Sequence, residues 1–289
     1  AHQSGDACGS AIGRAILYAV GMRAADVFPI SAVAALAVLV DLASWRPLRA
    51  EPPPLAFVIT GESNSGGLGL NADATAEELA PRKSVLILDL EAADRRFVPL
   101  QLGRNNLRRH TRLDDYFDTC HGLENQLAHA VAEGRVPGHP QVYLVKTGQG
   151  GSRVGEWRPD AATGYWKEFV GRTDAVRKLL EREPQWVVWM SLGINDAIAR
   201  TPDDTWQAEM ADHVRRIQRQ LPDARIVLTE FQSMGYPELN KRIRQLAAEI
   251  PGVASVDTTG IPLRDANHWG YAGLKMVADR LIAASFAAR

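Results

Sequence analysis

The sequence predicts an α/β fold, a three-layer α/β/α sandwich whose sheet is mostly parallel. Short apolar runs of strand length alternate with longer amphipathic stretches from residue 55 onward. Several of those runs are unbroken in Val, Ile and Leu, as strands are when helices cover both faces of a sheet. The chain has 289 residues, enough for one large α/β domain or two small ones.

In chain order, residues 11–25 read as a helix carrying Arg14 and Arg23. Residues 27–40 then form an uncharged apolar run that ends at Asp41. That run is short for a membrane span, which needs about 20 residues, but has the size of an export-signal apolar region behind basic residues. No small-x-small cleavage site follows it. The expectation is an export signal or membrane anchor in residues 11–45, with a packed helical element as the alternative. An exported or membrane-anchored protein is favoured over a cytoplasmic one. Arg46-Pro47 and Glu51-Pro52-Pro53-Pro54 break the chain as a stiff linker, so residues 1–50 separate from a domain over 55–289.

Within that domain, strands are expected at residues 55–60, 85–90, 142–146, 186–191, 225–231 and 253–257. Helices are expected at 123–133, 165–183, 205–221, 237–250 and 269–287. Residues 91–122 are polar and irregular, and read as a loop over one end of the sheet. Parallel sheets of this kind bind ligands beyond the carboxyl ends of their strands.

Composition excludes several classes. The formal net charge of -1 gives no field for nucleic acid. Cys8 and Cys120 make no disulfide framework and no metal-type pair, and the sequence has no His-Glu-x-x-His.

Four polar turns remain. Ser63 stands three residues past the first strand, and needs a base to become a nucleophile. His268 is the best base, and Asp265, three positions earlier on a turn, can hold its Nδ1–H so that Nε2 accepts the serine proton. Developing negative charge on an acyl oxygen also needs donors. Lys146-Thr147-Gly148-Gln149-Gly150-Gly151-Ser152 and Ser191-Leu192-Gly193-Ile194-Asn195-Asp196 follow strands and offer a glycine N–H and an asparagine amide. Each turn alone is better read as a capped helix or a plain loop; the four together are harder to dismiss.

Two rival motifs overlap the serine. Gly61 to Gly67 has nearly the glycine spacing of a phosphate loop but lacks its Lys-Ser/Thr ending. Gly67-Leu68-Gly69-Leu70-Asn71-Ala72, with Asp89 further on, fits a dinucleotide pattern. Six residues, however, separate its first glycine from the strand, and only a short helical stretch at 74–79 follows.

Gly61-Glu62-Ser63-Asn64, Gly150-Gly151-Ser152, Gly193-Ile194-Asn195-Asp196 and Asp265-Ala266-Asn267-His268 resemble the four sequence blocks of the SGNH (GDSL-like) hydrolases. The first block, the run Gly150 to Trp157 and Gly122-Leu123-Glu124 are similar to the branch of sialate O-acetylesterases and carbohydrate acetylesterases. The resemblance spans about 55–285 and implies a flavodoxin-like sheet. It also implies Ser63 as nucleophile, His268 as base and Asp265 as its orienter. The oxyanion donors would be the Ser63 N–H, the Gly150 N–H and the Asn195 amide. Glu62 departs from the usual glutamine, and is expected either to raise the basicity of the site or to bond the turn backbone. Gly-Ile-Asn-Asp departs toward the GDSL esterases.

The candidate substrate contacts are Glu62, Asn64, Gly151, Arg153 and Trp157, with a core position as the alternative for Trp157. His110 and His121 are expected at the surface, and His129 and His213 within helices. The implied activity is hydrolysis of short acyl esters, acetyl on a carbohydrate foremost, without metal or organic cofactor. The alternatives are a GDSL-type lipid esterase or thioesterase and a non-catalytic SGNH-like carbohydrate-binding domain. The partner is a small-molecule or glycan ester, not nucleic acid.

Overall fold

A computed structural model describes residues 52–89, 94–104, 119–232 and 236–287. The apolar segment at 11–45 and His110 lie outside them. Among the described residues no helix is long and apolar enough to cross a membrane.

The described strands are β1 (Leu55–Gly61), β2 (Gly69–Leu70), β3 (Arg82–Asp89), β4 (Arg96–Leu100), β5 (Cys120–His121), β6 (Val142–Lys146), β7 (Gln185–Ser191), β8 (Arg225–Thr229) and β9 (Val253–Val256). Seven form one sheet in the order β4-β3-β6-β1-β7-β8-β9, while β2 and β5 make a separate antiparallel pair. All neighbours in the large sheet run parallel except β3 and β4. The mostly parallel α/β sandwich is therefore as the sequence predicts.

Three strands were not foreseen: the two-residue β2 and β5, and β4. β4 lies inside the stretch read as loop, because Arg96 and Pro99 break its apolar pattern. A proline lacks the N–H of a ladder bond and is tolerated at a sheet edge, and β4 is an edge strand.

Side-chain alternation places the layers. From β1, Leu55, Phe57 and Ile59 point into one core with helices Glu124–Ala132 and Tyr271–Phe286. Ala56 and Val58 point into the other, with helices Tyr165–Leu180, Asp203–Gln220 and Pro237–Glu249. Along Asp203–Gln220, the residues Trp206, Met210, Val214 and Ile217 recur at helical spacing, and all are buried. Each such side chain removed from water stabilises by roughly 1.5–3 kcal/mol.

β1 is central, and its flanking strands β6 and β7 end beside it. Gly61 pairs with Ser191 at the end of β7, and the Glu62 N–H donates to the Ser191 carbonyl at 2.7 Å. Gly61 has φ 118°, and a Cβ there would lie 1.9 Å from that carbonyl oxygen. Glycine is thus required where β1 turns.

Beneath the turn lies a buried ion pair. Lys146 Nζ, at the end of β6, is 2.8 Å from Glu124 Oε1, and both side chains are 1% exposed. Nζ also donates to the Gly66 carbonyl at 2.7 Å, and Glu124 Oε1 accepts the Gly122 N–H at 2.9 Å. Burial draws Lys146 below the ordinary lysine value. Burial alone would raise Glu124, but the Lys146 charge brings it below the usual carboxylate range. Lys146→Met should cost about 3–5 kcal/mol, because it leaves Glu124 buried and unpaired. Lys146→Met combined with Glu124→Leu should cost less, as read from denaturant midpoints at constant slope.

Candidate active site

The chain leaves β1 at Gly61 and enters a four-residue helix, α1 (Ser63–Gly66), whose N-cap is Glu62. No long helix follows, so the dinucleotide pattern has no structural counterpart here. Its acid, Asp89, is instead paired with Arg104 at 3.0 Å.

Ser63 is 4% exposed, and its Oγ is 2.9 Å from His268 Nε2. His268 Nδ1 is 2.9 Å from both oxygens of Asp265. Asp265 Oδ1 also accepts the backbone N–H groups of Asn267 and His268, at 2.9 and 3.0 Å. This turn fixes the ring: with Nδ1–H given to the carboxylate, Nε2 faces the serine. Burial would raise Asp265, but the Asn267 N–H and the imidazole hold it below the usual carboxylate range.

Asn64 joins the two halves of this arrangement and is buried. Its Nδ2 donates to the Asn267 carbonyl and to Glu62 Oε1, each at 3.1 Å. Its Oδ1 accepts the Trp269 N–H at 3.2 Å. The turn bearing His268 is thereby tied to the turn bearing Ser63 by one side chain.

Gly150 and Asn195 come from the strands on either side of β1. Thr147 and Gln149 donate to the Ile59 and Gly61 carbonyls at 2.9 and 2.8 Å, which carries the β6 pairing past the strand end. Gly150 follows, buried. Asn195 is half-buried in a short helix (Ile194–Ile198) after β7, and its Nδ2 donates to the Ser152 carbonyl at 3.1 Å. Among the described residues, neither the Ser63 N–H nor the Gly150 N–H has a hydrogen-bond partner.

The expected substrate contacts divide. Gly151 and Arg153 are exposed. Glu62, Asn64 and Trp157 are not available to substrate, since they are 0%, 2% and 0% exposed. Trp157 belongs to the core: its Nε1 donates to Ser152 Oγ at 3.1 Å, and its ring packs against Tyr165 and His213. Glu62 bonds the turn, as one of its two expected roles required. Its Oε1 accepts from Asn64 and from Ser191 Oγ, the latter at 3.1 Å.

The histidines divide as well. His121, expected at the surface, is buried with Nδ1 3.0 Å from Asn71 Oδ1. His129 lies 2.8 Å from the buried Glu78. Burial pushes His213 down to about 3, with Arg216 adding to it. Among the described residues no cluster of three or more His, Cys, Asp or Glu is arranged to hold a metal ion. A cavity of about 350 Å³ beside the Asp265–His268 turn is lined by Leu70, Arg264 and Tyr271, and its lining includes neither Ser63 nor His268.

Ser191, Asn267, Glu124 and Lys146 support the site but were not singled out as doing so. A lysine ending an apolar run was the available signal for the last.

The chain matches the family described as carbohydrate esterase, sialic acid-specific acetylesterase, over residues 54–287. No curated protein matches it in a sequence search. Among solved structures, a protein from Arabidopsis thaliana is similar at a TM-score of 0.62 and 21% identity, over 81% of this chain and 98% of that one. The crystal structure of NanS is similar at 0.60 and 15% identity, over 81% and 97%. These likenesses are of fold.

Two outcomes follow from the geometry. Asn64→Ala strips three bonds from buried partners. It should lower stability by about 1–3 kcal/mol, and lower kcat on acetyl esters on the order of 10- to 100-fold by loosening His268 against Ser63. Asp196 is buried, and that burial pushes it up to about 6, although the Val154 N–H opposes the shift. Its folded form therefore binds a proton more tightly than the unfolded chain does. The ionised carboxylate costs stability above about pH 6, and that cost fades as pH falls toward the ordinary value of 3.8. Asp196→Asn should then be more stable than the parent by about 1–3 kcal/mol at neutral pH, with the gap closing in acid, as read by thermal melts across pH.

Proposed function

The chain belongs to the sialic acid-specific acetylesterase family of carbohydrate esterases and is a carboxylic ester hydrolase acting on acetyl esters; from that premise we propose that Ser63, His268 and Asp265 are its catalytic triad. The observation that carries this is the unbroken chain from Ser63 Oγ to His268 Nε2, at 2.9 Å, and from His268 Nδ1 to Asp265, at 2.9 Å.

In this reading Ser63 Oγ attacks the ester carbonyl carbon while its proton passes to His268 Nε2. The carbonyl electron pair moves onto oxygen, where the Ser63 N–H, the Gly150 N–H and the Asn195 amide receive it. Collapse breaks the bond to the alcohol oxygen, which takes the proton from Nε2. Water then attacks the acyl-serine and gives its proton to His268. Acetate leaves, and Ser63 recovers its hydrogen. Asp265 stays ionised throughout and holds the imidazolium as it forms. The substrate is a short acyl ester on a carbohydrate, and Gly151 and Arg153 are its candidate contacts at the exposed rim.

Ser63→Ala should abolish hydrolysis of p-nitrophenyl acetate with the fold intact by circular dichroism; retained turnover would remove the triad assignment. Acetyl esters should be preferred to octanoyl esters. The opposite preference would favour a lipid esterase. A fluorophosphonate probe that leaves Ser63 unmodified would favour a binding domain.

A further inference from the structure

A cavity of about 230 Å³ adjoins the segments that carry Gly150 and Asn195. Asn195 Nδ2 donates to the Ser152 carbonyl, and the residues that follow those two, Asp196 and Arg153, both line the cavity. The Gly150 and Asn195 segments thus run on into its walls. Helix Asp203–Gln220 adds Thr205 and Glu209. Gly155 leaves room for Glu209, whose Oε2 would lie 3.1 Å from a Cβ there.

Asp196 is the buried member of this lining, 3% exposed, much as Ser63 is at 4%. Its Oδ2 accepts the Val154 N–H at 3.0 Å, and among the described residues no donor reaches Oδ1. A buried carboxylate oxygen without a donor is costly, and burial accordingly pushes Asp196 up to about 6. The fold does not require this carboxylate, since asparagine at the same position is expected to be the more stable. What Oδ1 lacks is a donor from outside the chain, and the cavity is where one can reach it.

The rest of the lining narrows the donor's chemistry. The carboxylates of Glu156 and Glu209 are interleaved with the guanidinium groups of Arg153 and Arg158, and among the described residues no set of three is arranged for a metal ion. No aromatic or large aliphatic side chain lines the cavity, so an apolar alcohol would leave its polar groups bare. Donors and acceptors mixed in this way suit hydroxyl groups, each of which can donate and accept. Three carboxylates against two guanidinium groups disfavour an anion. The volume lies below the roughly 300 Å³ at which sites for drug-sized ligands begin, which suits one ring rather than a chain.

Resting on the proposed acyl transfer at Ser63, we propose that this cavity is the subsite for the alcohol half of the ester. It holds a neutral sugar ring, with one ring hydroxyl donating to Asp196 Oδ1 and others meeting Arg153, Glu209 and Thr205. Asp196 is in this role a specificity residue, one position beyond the asparagine that receives the oxyanion.

The measure is kcat/KM for a mono-acetylated methyl glucoside divided by kcat/KM for ethyl acetate. Both esters use the same triad, and ethanol has nothing to place in the cavity. The parent should favour the glucoside; no preference overturns the proposal. Thr205→Phe fills the cavity from an exposed position in the first turn of helix Asp203–Gln220, and the ratio should fall on the order of tenfold. Asp196→Asn keeps the Val154 bond through its amide oxygen and removes the charge. The ratio should then fall roughly fivefold, the difference between a hydroxyl bonded to a charged partner and to a neutral one. Both losses should appear in KM for the glucoside rather than in kcat. A ratio unmoved by these substitutions overturns the proposal, and if one variant does not fold the other decides. The parent alone tests the ligand class: the glucoside should be a better substrate than its glucuronoside counterpart, and the reverse order overturns the neutral ring. Failure of the nucleophile assignment reads differently: the parent is then not labelled at Ser63 by a fluorophosphonate, and both readings fall. Labelling at Ser63 with an unmoved ratio removes the sugar subsite alone.

Discussion

The buried pair between Lys146 and Glu124 is the constraint on which the serine turn rests. Two charges have been taken out of water, and neither can be tolerated there without the other. Their remaining bonds are spent on backbone. Lys146 holds the Gly66 carbonyl at the end of α1, and Glu124 holds the Gly122 N–H. Gly67 and Gly122 touch at this point, where a Cβ on Gly67 would lie 2.0 Å from the Gly122 Cα. The pair thus fastens three separate segments at one place: the end of β6, the start of helix Glu124–Ala132 and the loop carrying Ser63. It replaces a longer helix behind the nucleophile, since α1 has four residues and little stability of its own.

Much of the architecture was legible because buried parallel strands announce themselves as continuous apolar runs. β1, β6 and β7 could be placed from Phe57-Val58-Ile59, Val142-Tyr143-Leu144-Val145 and Val187-Val188-Trp189-Met190 within a residue or two. β4 was not legible, because an edge strand is free of the demand that its residues be apolar and can carry Arg96 and Pro99. The polar turns were legible as four short blocks in a fixed order. Their supports were not, because support is a matter of tertiary contact. No local pattern says that Ser191 Oγ bonds Glu62, or that Asn64 reaches the Asn267 carbonyl 203 residues away. Trp157 shows the same limit from the other side: an aromatic after a glycine turn fits a pocket wall or a core, and its indole N–H bond to Ser152 decides for the core.

Polar residues at the carboxyl end of this sheet sort by burial. Those that meet substrate in the reading above, Gly151 and Arg153, are open to solvent. Those packed around Ser63, Glu62, Asn64 and Ser191, are sealed, and Glu62 is bonded to both of the others. A sealed network of this kind is rigid because each member would lose a partner by moving. It also explains why the buried side chain of Glu62 is tolerated beside Ser63. Both of its oxygens have hydrogen-bond partners, so neither is left bare in the interior.

Ser63 and His268, nucleophile and base in the reading above, lie 205 residues apart in the chain, joined by Asn64 and a single hydrogen bond. During synthesis the ribosome therefore delivers Ser63 first and His268 roughly 10 to 40 s later, at ordinary elongation rates. For the first part of that interval Gly61 also waits for the β7 carbonyl that covers it. In that reading a nascent chain carries its serine without its base, and its site is complete only when the last helix has docked. The order of the chain is then its own timer, because the residue that would activate the serine is among the last to arrive.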